Sequence, residues 1–144
     1  MEDPPILNQL NVIVKNMDAT VDFYRRLGLE IGEDHDANHV NVMLPSGLLV
    51  EFDTTSFVPH WDTGWNGTTG SGIVIGFRLA SREAVDALYA RIAAAGYRGR
   101  QPPYDAFWGA RYAIVEDPDG NAVGLMSPIE RARKFWPPAP PPRA

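Results

Sequence analysis

The chain has 144 residues, 44% of them apolar, a formal net charge of −5 and no cysteine. That length suits one domain with a real core, and the missing cysteines exclude disulfides, zinc–thiolate sites and thiol catalysis while fitting a reducing cytoplasm. An acidic balance with no Lys/Arg cluster argues against nucleic acid and anionic membranes, and no basic leader or transmembrane-length run is present, so the expectation is a cytoplasmic protein free of membrane.

Residues 1–5 read as a loose end, and Ile6 to Val14 as a strand whose second half alternates Leu10, Val12 and Val14 against Gln9, Asn11 and Ile13. Asn16 or Asp18 can cap a helix carrying Val21, Tyr24 and Leu27 and ending at Gly28, a natural left-handed C-terminal position. Leu29 to Glu33 are expected to begin a second strand, followed by a polar turn from Asp34 to Asn38. His39 to Leu44 and Leu48 to Asp53 are expected strands around a Pro-Ser-Gly turn, with Val40, Val42, Val50 and Phe52 under the helix.

Residues 54–70 form a connection too long to be a simple link and rich in aromatic rings, with Phe57, His60, Trp61 and Trp65. Two readings stand equally: a lid or cavity rim, or rings that cap the core edge or a subunit contact. From Gly72 to Leu79 a new strand starts, and Ser81 can cap a helix from Arg82 to Ala95 with Val85, Leu88 and Ile92 as its buried stripe. Tyr97 to Pro103 are an expected strand and Tyr104 to Phe107 a loop. A hairpin follows over residues 108–126, turning at Asp117-Pro118-Asp119-Gly120. Ile129 to Phe135 suggest a short helix, and the Pro-rich tail 136–144 suits extended polyproline.

The chain makes the hairpin twice. Leu44 to Phe52 align without a gap on Asp117 to Leu125, placing Pro45 on Pro118, Gly47 on Gly120 and Val50 on Val123. The helices echo each other as well, Val21-Asp22-Phe23-Tyr24 against Val85-Asp86-Ala87-Leu88-Tyr89. Strand, helix and three strands, then the same again, define an α+β fold with mainly antiparallel sheets. The expected organisation is one domain over residues 1–135, with module one at about 6–53, the loop 54–70, module two at about 71–128, and the tail.

Phe23-Tyr24-Arg25-Arg26-Leu27-Gly28-Leu29, Trp108-Gly109-Ala110-Arg111 and Asp117-Pro118-Asp119-Gly120-Asn121 resemble the vicinal oxygen chelate superfamily of glyoxalases, bleomycin resistance proteins and extradiol dioxygenases. The resemblance spans roughly residues 6–128. It implies paired βαβββ modules whose curved sheets form a cleft, usually in a homodimer. Metal-dependent members place ligands at four equivalent points, which here read Gln9 and Glu51 in the first module and Ile73 and Gly124 in the second. Gln and Glu can donate oxygen to a hard cation, whereas Ile and Gly side chains donate nothing. His39 and His60 occupy no family ligand position, and Glu51 with His39 is the one pairing that suggests a base and its orienter.

Parity gives the implied cleft a polar wall of Gln9, Asn11, His39, Asn41, Met43, Glu51 and Asp53, and an apolar wall of Ile73, Ile75, Ala122, Gly124 and Met126. Gly124 is expected to leave room where enzymes hold a carboxylate. Phe57, His60, Trp61, Trp65, Tyr104, Phe107 and Trp108 are candidates to contact a ligand from above. The expectation is a homodimeric binder of the bleomycin-resistance kind, without metal or other cofactor, that sequesters an aromatic or amphipathic natural product. The alternative is a metal-dependent lyase or dioxygenase with an atypical ligand set. A third possibility is an interaction module that uses the proline tail.

Overall fold

In the computed structural model, residues 9–63, 65–70 and 73–135 are described, and their contacts divide the chain into two compact units between Thr69 and Gly70. The first unit contains β1 (Gln9–Val14), α1 (Met17–Arg26), β2 (His39–Met43) and β3 (Leu49–Thr54), then a short 3₁₀ helix at Val58–His60. The second contains β4 (Val74–Arg78), α2 (Arg82–Ala94), β5 (Gly99–Asp105), β6 (Arg111–Glu116) and β7 (Ala122–Met126), with a 3₁₀ turn at Arg131–Arg133.

Each unit forms one mixed sheet, in the order β1-β3-β2 and β4-β7-β6-β5. The repeat seen in the sequence is therefore a repeat of topology. In each unit the first strand lies parallel to the last, and the strand before the hairpin turn lies antiparallel to it on the other side. The fold is α+β, and three of its five strand pairings are antiparallel.

Helix α1 starts where Asn16 accepts a 3.0 Å hydrogen bond from the Ala19 N–H, and α2 starts where Ser81 accepts one of 3.1 Å from Ala84. Val21, Phe23 and Tyr24 are buried on α1, and the Tyr24 ring sits 4.8 Å from that of Phe52 on β3. Burying rings of this size contributes about 1.5–3 kcal/mol each before entropy is charged. On α2, Val85 and Ile92 are buried against the second sheet and Leu88 is half-buried.

The second hairpin turns as its residues dictate. Asp117 Oδ1 accepts from the N–H groups of Asp119 (2.9 Å) and Asn121 (2.8 Å), and its Oδ2 accepts from Asn121 Nδ2 at 2.7 Å. In the Trp108-Gly109 turn, Gly109 has φ +94°, and a Cβ there would stand 2.4 Å from the Glu130 carbonyl oxygen. Only glycine fits that close approach.

Several expectations change. Leu29 to Glu33 form no strand, because the Arg25 guanidinium takes the carbonyls of Ile31 (2.7 and 3.0 Å) and Gly32 (2.7 Å). A side chain has occupied acceptors that a neighbouring strand would need. Tyr104 and Asp105 belong to β5 rather than to a loop, and the expected helix from Ile129 to Phe135 shortens to a single 3₁₀ turn. The expected strand start at residues 6–8, the start at Gly72 and the proline tail lie outside the described residues. Among the described residues, no helix is long and apolar enough to cross a membrane.

Candidate functional site

In the first unit, Val12, Val14, Val40, Val42, Val50 and Phe52 are buried on the helix side of the sheet. The opposite face carries three rungs set by strand register. Gln9, Leu49 and Met43 lie side by side, then Asn11, Glu51 and Asn41, then Ile13, Asp53 and His39. Gln9, Asn11, Asn41 and Met43 are exposed, Glu51 is half-buried, and Asp53 is 1% exposed.

A buried carboxylate needs partners. Asp53 Oδ2 accepts from Asn11 Nδ2 at 2.9 Å, and Oδ1 is hydrogen-bonded to His39 Nδ1. The bond to Asp53 raises the His39 pKa above its ordinary value near 6.5, with support from the charges of Asp53, Glu51 and Asp36 against partial desolvation. The partner of His39 is thus Asp53 and not Glu51, which corrects the base-and-orienter pairing expected above. Register decides it, since His39 lies opposite Asp53 and diagonal to Glu51. Parity put Asp53 on this wall, but no sequence signal aligns the two strands.

The aromatic loop begins against this histidine. The Phe57 ring lies 5.3 Å from the His39 ring and 5.4 Å from that of His60, which is exposed. Trp61 is 47% exposed. Trp65 is half-buried, and its indole Nε1 donates to the Thr68 carbonyl at 3.1 Å.

In the second unit, Ile75 pairs with Val123 and so shares the helix side of the sheet, not the open wall expected for it. The open face is built from Tyr104, Tyr112, Met126 and Arg78 on one rung and Gln101, Ile114, Gly124 and Gly76 on the next. The Trp108 ring packs edge-on at 5.3 Å from Tyr112, 6.5 Å from Tyr104 and 5.2 Å from Phe107. Its Nε1 donates to the Met126 sulfur at 3.3 Å. Burial pushes the Tyr104 and Tyr112 phenols above their ordinary pKa, so both stay neutral donors.

Gly124 does not leave a vacant place. A Cβ built on it would lie 2.8 Å from the Tyr112 hydroxyl and 3.2 Å from the ring, so the tyrosine occupies the room expected there. Gly76, its neighbour on β4, is open above its Cα. Alternation along β6 puts Tyr112 on this face, yet its reach over β7 is visible only in three dimensions.

A family metal would need oxygen or nitrogen donors from both modules. Gln9 and Glu51 offer oxygen, but in the second module register puts Val74, not the expected Ile73, on the face of Gly124, so that the positions there offer only a hydrocarbon side chain and a glycine under a phenol. Among the described residues, no group of three or more His, Asp or Glu side chains converges in the way a metal ion needs. The residues present do not fit the chelate.

Two repeated α+β units, each with one helix packed on one face of a mixed sheet, define the class. The chain matches the model of the Glyoxalase/Bleomycin resistance protein/Dioxygenase superfamily over residues 6–125 and belongs to that family. No curated protein matches it significantly. Among solved structures, it is similar to a glyoxalase/bleomycin resistance protein/dioxygenase from Nocardioides (20% identity, TM-score 0.70, covering 90% of this chain and 87% of that one). A glyoxalase-related enzyme from Fulvimarina pelagi has 17% identity and a TM-score of 0.75, over 85% and 88% of the two chains. A lactoylglutathione lyase from Agrobacterium tumefaciens has 17% identity and a TM-score of 0.62, over 88% and 96%. At such identities the likeness concerns the fold alone.

Proposed function

We propose that the protein binds and sequesters an aromatic or amphipathic natural product without a metal ion, as a homodimer inside the cell. The observation that carries this reading is Tyr112 lying over Gly124, where a metal-dependent relative would need a donor side chain. The tyrosine, braced by Trp108 and Tyr104, gives an aromatic edge beside the bare backbone of Gly76. Such a surface suits a flat molecule, because rings supply contact area with little entropy to lose.

Titration of chelator-treated protein with planar antibiotics, followed by tryptophan fluorescence and repeated with Mn²⁺, Zn²⁺ and Ni²⁺, tests the proposal. Saturable quenching that needs no metal, with the compound recovered unchanged by mass spectrometry, supports it. Binding or turnover only in the presence of metal overturns it. Light scattering at micromolar concentration should give twice the chain mass.

A further inference from the structure

We propose that His39 and Glu51 form a donor–acceptor pair on the open face of the first sheet that binds the polar edge of an amide or lactam. His39 Nε2–H donates to the carbonyl oxygen, and the Glu51 carboxylate accepts from the adjacent N–H. This rests on the small-molecule reading above and names the ligand chemistry that one face selects.

The observations are geometric. Asp53 is 1% exposed and both of its oxygens are engaged, by His39 and by Asn11, so it cannot serve a ligand directly. What it does is fix the imidazole, holding a proton on Nδ1 and leaving Nε2 as the nitrogen that meets a ligand. Among the described residues Nε2 has no hydrogen-bond partner, while the His39 side chain is 37% exposed. Phe57 against one side of the ring restricts its rotation.

Charged groups reach His39 from each element packed on it: Asp53 and Glu51 from β3, Asp36 from the preceding turn, and His60 beyond Phe57. The three carboxylates favour imidazolium, in which Nε2 is a donor. Glu51 carries no hydrogen bond or ion pair among the described residues, and it lies diagonal to His39 on the same face because Asn41 pairs with Glu51 and His39 with Asp53. Diagonal neighbours stand about 7–8 Å apart at Cα, close enough for both side chains to meet one small polar edge. A charged donor beside a charged acceptor matches a group that presents C=O and N–H side by side.

Isoquinolin-1(2H)-one and its N-methyl derivative, titrated into ¹⁵N-labelled protein at pH 6, distinguish the outcomes. The lactam should bind at least about tenfold more tightly than the N-methyl compound, the scale of one charged hydrogen bond, and should move the His39 Nε2 resonance. Glu51→Ala should bring the two affinities within about twofold. His39→Ala should weaken both compounds, because both keep the carbonyl to which His39 donates. Equal binding of both compounds, or binding of neither, overturns this inference, while the sequestration reading stands or falls separately on the antibiotic titration above.

Discussion

Gly124 and Tyr112 occupy one space on neighbouring strands: a Cβ on Gly124 would press within 2.8 Å of the Tyr112 hydroxyl. Gly124 is buried and pairs with Ile114, two residues from the tyrosine, so neither backbone can move without disturbing the hairpin. The two residues are therefore expected to depend on one another. Gly124→Ala should cost about 1–3 kcal/mol by overpacking, and much of that cost should vanish in a Tyr112→Ala background. A double-mutant cycle by urea denaturation measures the coupling.

Trp108 is held by three rings and the Met126 sulfur. Trp108→Ala should weaken a stacked planar ligand by about 1–3 kcal/mol. Trp61→Ala, at an exposed ring with no such bracing among the described residues, should change binding by less. Titrations of the two variants, compared at matched folded fraction, check the order.

His39 gives stability a defined pH dependence. Its folded pKa is raised chiefly by the hydrogen bond to Asp53, so the contribution is fully present below the ordinary value near 6.5. It is lost as pH rises through the folded pKa, because the folded state then gives up a proton that the unfolded state has already released. Stability should decline over that window, and the decline should flatten in His39→Gln. Chemical denaturation between pH 5.5 and 9, with the histidine followed by NMR, tests the sign; a stability that climbs across the window through this group would contradict it.

Arg25 replaces strand pairing with a side-chain clamp on Ile31 and Gly32. Arg25→Ala should lower stability by about 1–3 kcal/mol, since the bonds involve a charged donor. Arg25→Lys should recover only part of it, because one ammonium lacks the planar fork. Hydrogen exchange across residues 29–36 should accelerate in both variants if the clamp orders that segment.

The sequence by itself determined the repeated modules, both helices with the Ser81 cap of the second, and the inward residues of β1 to β3, while for the first helix it left Asn16 and Asp18 as alternatives and the structure chose Asn16. These follow from period, turn chemistry and capping, which are local and act on neighbouring residues. Only the tertiary structure decided which residues meet across strands. Alternation assigns a residue to a face but says nothing of its partner there, because register depends on how strands from distant parts of the chain align. For that reason Glu51 looked like the partner of His39 when Asp53 is, Ile75 was assigned to the wrong face, and Gly124 looked vacant beneath a tyrosine twelve residues away in the chain. The loss of the strand at Leu29 to Glu33 has the same origin, since nothing local announces that Arg25 will take its carbonyls.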